Sequence, residues 1–104
     1  MNRIALFLFL LPAIANAQAF DLACIDKVGA SVSFTIDPEN RIVRVGPMPA
    51  KNVVIDSNYI NFTLVLGEGE WYHSINRSTG VLSIQGPQKE RVPPYLCERA
   101  VKRF

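Results

Sequence analysis

The stretch from Tyr59 to Gln85, YINFTLVL-GEG-EWYHSIN-RSTG-VLSIQ, constrains this chain more than any other. Alternation with a period of two marks a half-buried strand, because successive side chains point to opposite faces. Ile60, Phe62, Leu64 and Leu66 share one face of the first run, with Tyr59, Asn61, Thr63 and Val65 on the other. Trp71, His73 and Ile75 alternate with Tyr72, Ser74 and Asn76 in the second run, and Leu82 and Ile84 with Val81, Ser83 and Gln85 in the third. Gly67 and Gly69 flank Glu68 in the first connection and Gly80 closes the second, where tight hairpin loops need a positive φ. Connections this short leave no room for a crossover helix, so the three runs pair antiparallel.

One face of this meander is apolar and aromatic and has to be covered. The other is polar but uncharged. It carries Tyr59, Asn61, Thr63, Tyr72, Ser74 and Asn76, with Ser83 and Gln85 beyond them. Such side chains hydrogen-bond and stack against a neutral polar partner, and those first six are the candidate binding residues. An ordinary solvated sheet exterior has a similar composition.

The flanking segments supply further strands. Phe20, Leu22 and Cys24 alternate with Asp21 and Ala23, and Val32, Phe34 and Ile36 with Ser31, Ser33 and Thr35. Asp37-Pro38-Glu39-Asn40 is a turn signal, followed by an apolar run at Ile42, Val43 and Val45. Gly46-Pro47-Met48-Pro49 reads as a loop, Val53 to Ile55 as a short strand, and Tyr95 to Arg99 as the last strand or a turn. Pro93-Pro94 keeps the backbone extended but cannot donate to a ladder. The expected fold is all-β: a small antiparallel barrel or sandwich of seven to eight short strands.

Residues 1–17 read as a secretory signal peptide. Arg3 precedes an apolar run from Ile4 to Leu11, and Ala15-Asn16-Ala17 offers the small residues that a signal peptidase cuts after. The run is shorter than the ~20 residues of a membrane span, so no stable membrane insertion is expected after cleavage. Residues 18–104 then form a single β domain. A lipoprotein signal ending at Cys24 is disfavoured, because polar Asn16, Gln18 and Asp21 separate it from the apolar run.

Cys24 and Cys97 are the two cysteines, and in an exported chain an even count reads as a disulfide, here joining the first strand to the last. A domain this small buries only about 60–65% of its unfolded surface and gains from such a staple. Of 11 basic and 9 acidic residues only Arg3 lies in the leader, so the mature domain has a net charge of +1. Nothing in that balance points to nucleic acid.

Chemistry is hard to find. His73 is the sole histidine and shares its face with Trp71 and Ile75, which reads as a partly buried imidazole among aromatics. Ser74 beside it faces the other way, so the two do not make a nucleophile–base pair. Glu68 and Glu70 flank a turn rather than a cleft, and Gly67-Glu68-Gly69 lacks the lysine and helix of a phosphate loop. Two separated cysteines and one histidine match no metal-ligand spacing, and no cofactor is implied.

Ile75-Asn76-Arg77-Ser78-Thr79-Gly80-Val81-Leu82, with Tyr95-Leu96-Cys97 after it and Phe20-Asp21-Leu22-Ala23-Cys24 before it, resembles a pattern of small exported proteins of Gram-negative bacteria and their prophages. Those carry F-x-L-x-C, I-N-R-x-T-G-x-L and Y-x-C segments, and the likeness implies export and a β fold. A weaker likeness is to periplasmic inhibitors of c-type lysozyme, also small, β-rich and disulfide-bonded. Their serine-glycine loop has no counterpart here. The expected function is a periplasmic (or extracellular) binding or inhibitor-type module for an envelope protein or glycan. The alternatives are an envelope-associated enzyme using His73 and a carboxylate, and a structural component of an envelope or phage assembly.

Overall fold

The computed structural model describes residues 18–67 and 69–100. The expected signal peptide lies outside them, as do Glu68 and residues 101–104. The described chain is all-β, with strands β1 (Phe20–Ile25), β2 (Ser31–Asp37), β3 (Ile42–Val45), β4 (Met48–Pro49), β5 (Lys51–Ile55), β6 (Tyr59–Leu66), β7 (Gly69–Asn76), β8 (Val81–Gln85) and β9 (Arg91–Arg99).

These form one antiparallel sheet in the order β4-β3-β2-β1-β9-β8-β7-β6-β5, curled into a nearly closed barrel. The two outermost strands are consecutive in sequence. Only Ala50 separates β4 from β5, and its N–H donates to the Val43 carbonyl at 2.8 Å. A single run from Met48 to Ile55 therefore lies along β3 with its first half and along β6 with its second, and closes the wall. This corrects the sequence reading of Met48-Pro49 as loop. A proline fits there because its pyrrolidine nitrogen falls on an edge strand.

Alternation decides what fills the barrel. Leu22, Phe34, Ile36, Val43, Ile60, Phe62, Leu64, Ile75 and Leu82 are all buried, together with Cys24 and Cys97. At about 25 cal/mol per Å² of apolar surface removed from water, this shared interior is the main stabilising term. Cys24 and Cys97 stand directly opposite each other on β1 and β9 and form the expected disulfide. The bond is therefore at the junction of the first and last strands.

The β7–β8 turn docks the meander onto its neighbours. Asn76 Oδ1 accepts the Ser78 and Thr79 N–H groups at 2.9 and 3.1 Å, and Thr79 Oγ1 accepts that of Val81 at 3.2 Å. Arg77 reaches back to the β5–β6 turn, its Nη1 donating to the Asp56 carbonyl at 2.6 Å. Gly80 has φ +80°, and its carbonyl accepts the Cys97 N–H at 2.8 Å. A Cβ there would lie 2.6 Å from the Cys97 carbonyl oxygen. The I-N-R-S-T-G run is thus a structural joint.

Candidate functional site

Two β-bulges shape the outer wall of the barrel. On β5, Lys51 pairs with Thr63 and Val54 with Asn61, so one extra residue is accommodated between them, and Asn52 takes φ +54°. Asparagine is among the few residues other than glycine that adopt this conformation readily. On β9, Tyr95 pairs with Leu82 and Val92 with Ile84, which leaves one extra residue at Pro93-Pro94. Proline cannot donate to the ladder, so the pairing slips where the two prolines stand. A bulge bends its strand and re-aims its side chains.

Between the bulges lies a groove of about 880 Å³ whose floor is β6, β7 and β8. Two rows of side chains cross that floor. Asn61, Ser74 and Ser83 are register partners in one row, and Thr63, Tyr72, Gln85 and Arg91 in the next. Asn52 stands on one wall and Pro93 and Pro94 on the other. The size falls within the range of small-molecule sites, roughly 300–1,000 Å³.

Most of these polar side chains make no hydrogen bond to another described residue. Tyr72 does: its hydroxyl donates to Glu70 Oε1 at 3.3 Å, and Glu70 Oε2 lies 3.8 Å from Lys51 Nζ. That contact steers the ring, which is half exposed. Thr63 is buried beneath its neighbours. Asn61 Oδ1 is also buried and lacks a hydrogen-bond partner among the described residues. An unpaired buried acceptor costs about 1–3 kcal/mol, which a donor reaching it would recover.

Of the six residues proposed from the sequence, Asn61, Thr63, Tyr72 and Ser74 line this groove. Tyr59 and Asn76 do not. They pair with each other at the end of the meander, and Asn76 is engaged by its own turn. Asn52, Arg91, Pro93 and Pro94 went unnoticed in the sequence as members of a site, because strand pairing brings them there. Pro93-Pro94 within a strand was the available signal.

His73 borders the groove, but its ring is buried against Phe62 and Phe34. It stacks on Phe62 with centroids 4.9 Å apart and meets Phe34 edge-on at 6.0 Å. Burial holds its pKa below the usual histidine value, although the bond to the Trp71 carbonyl opposes this. The neutral ring keeps its proton on Nδ1, 2.9 Å from that carbonyl oxygen. Among the described residues no three histidine, cysteine or acidic side chains group as metal ligands, and no helix is long and apolar enough to cross a membrane. The disulfide marks a non-reducing, exported compartment. Comparison with protein-family models, curated proteins and solved structures found no match to this chain.

Proposed function

We propose that this chain is a small periplasmic binding module, without catalytic activity, that takes an envelope protein or glycan in the groove over β6–β9. One observation carries the reading: polar side chains with no hydrogen bond to another described residue converge in a concavity between two bulges. A disulfide-stapled barrel suits the role, because a rigid scaffold lowers the entropy cost of binding. The leader pattern at residues 1–17 and the resemblance to small exported Gram-negative proteins favour the periplasm.

The test is retention of the oxidised domain, residues 18–104, on purified envelope proteins and isolated cell-wall glycan. Tyr72→Ala and Asn61→Ala are run beside it, with Tyr59→Ala as the control outside the groove. The expected outcome is loss of a saturable interaction in the first two variants and its retention in the third. An interaction that survives both groove substitutions places the binding face elsewhere.

A further inference from the structure

We infer that the groove accepts a short oligosaccharide carrying a carboxylate, with Arg91 as its anion partner; this rests on the binding-module reading above. Three features select that chemistry. The floor bears hydroxyls and an amide from Ser74, Ser83 and Gln85, which both donate and accept, as a sugar's hydroxyls require, with Asn61 beside them. Tyr72 offers a half-exposed ring on which the C–H face of a pyranose can lie, and its hydroxyl is already held by Glu70. Among the described residues Arg91 is the one cation lining the groove, and it has no acidic partner there. A guanidinium fork matches a carboxylate with two parallel hydrogen bonds. Glu70 does not line the groove, and Lys51 offsets its charge.

The accessible part of the row, from Tyr72 to Arg91, crosses from β7 to β9, a distance of about 10 Å at ordinary interstrand spacing, which suits two or more linked rings better than one. An extended peptide fits less well. Such a ligand adds itself to a free sheet edge, and the floor strands β6, β7 and β8 are each paired on both sides.

The experiment is an array of length-matched oligosaccharides, neutral (chito- and cello-oligomers) and acidic (bearing uronic, sialic or muramic acid), probed with the oxidised domain. Affinities for the bound members are then measured for the wild type and for Arg91→Gln, Arg91→Lys, Tyr72→Ala and Asn61→Ala. Melting temperatures confirm folding. The expected result is binding confined to acidic members and weakened by salt. Arg91→Gln should weaken it roughly tenfold and Arg91→Lys less, as fits a charged hydrogen bond at an exposed site.

Equal binding of neutral and acidic members, or indifference to Arg91→Gln, overturns the carboxylate assignment and leaves the groove in place. Failure of the folded protein to bind any member overturns the saccharide class. The groove reading then stands or falls on whether Tyr72→Ala and Asn61→Ala abolish capture of a purified envelope protein. Glycan binding that survives both substitutions overturns the site itself.

Discussion

Two parts of one meander use the same kinds of residue in opposite ways. At the β7–β8 turn, asparagine, threonine and arginine side chains are bonded to backbone: Asn76 to Ser78 and Thr79, Thr79 to Val81, and Arg77 to Asp56. Asp56 beside them accepts the Asn58 and Tyr59 N–H groups, both at 2.8 Å. A few residues along the meander, Asn61, Ser74, Ser83 and Gln85 line a groove with no such bonds among the described residues. Polar groups at the turn hold the barrel together. Those in the groove have no such structural task among the described residues.

The comparison can be broken by substitutions that ought to behave differently on its two sides. The largest effect is expected next to the turn, at the bridge that Gly80 contacts through Cys97. Cys24→Ala with Cys97→Ala should cost about 4 kcal/mol in denaturant unfolding, from the loop-closure entropy of a bond spanning 73 residues. Gly80→Ala should follow, at about 2–3 kcal/mol, because it adds a Cβ against a carbonyl at a positive φ. Asn76→Ala, which strips two backbone N–H groups of their acceptor, should cost about 1–2 kcal/mol in the same assay.

On the groove side, Asn61→Ala should change stability by no more than about 0.5 kcal/mol, or raise it, since the amide oxygen it removes is unpaired. A large loss of stability there would mean that Asn61 is structural after all, and the contrast would collapse.

Acid titration sharpens the contrast with smaller effects. Asp56 and Asp37 are held below the usual aspartate value by hydrogen bonds, chiefly from Tyr59 for Asp56 and from the Asn40 side chain for Asp37. The unfolded chain then binds more protons than the folded one, so their contribution is present above pH 3.8 and is lost as pH falls through the folded values. Asp56→Asn should flatten that part of a stability-against-pH curve. His73 has the same sign at higher pH. Its lowered pKa makes stability decline as pH drops below 6.5, and His73→Phe should remove that slope.

The meander, its antiparallel pairing and the disulfide were legible because they follow from short-range rules: alternation, glycine at tight turns and an even cysteine count. The closing strand was not, because Met48 and Pro49 carry no strand pattern and are held by β3 on one side only. Alternation also identified the polar face correctly as a face, but says nothing of where along it the wall becomes concave. That depends on Asn52 and on Pro93-Pro94, which lie outside the meander and act by shifting register. Alternation alone therefore groups Tyr59 and Asn76 with Asn61 and Tyr72, although the β7–β8 turn engages Asn76 Oδ1.

The strand order carries a consequence for how the chain matures. Among the described residues every ladder joins neighbours in sequence except β1 with β9. Seven hairpin-like pairings can form locally and fast, while the eighth has to await the final strand. As the chain is made from its N-terminus, β1 waits with an unpaired margin and Cys24 with a free thiol until β9 arrives. Oxidation then locks the one pairing among the described strands that joins distant parts of the chain.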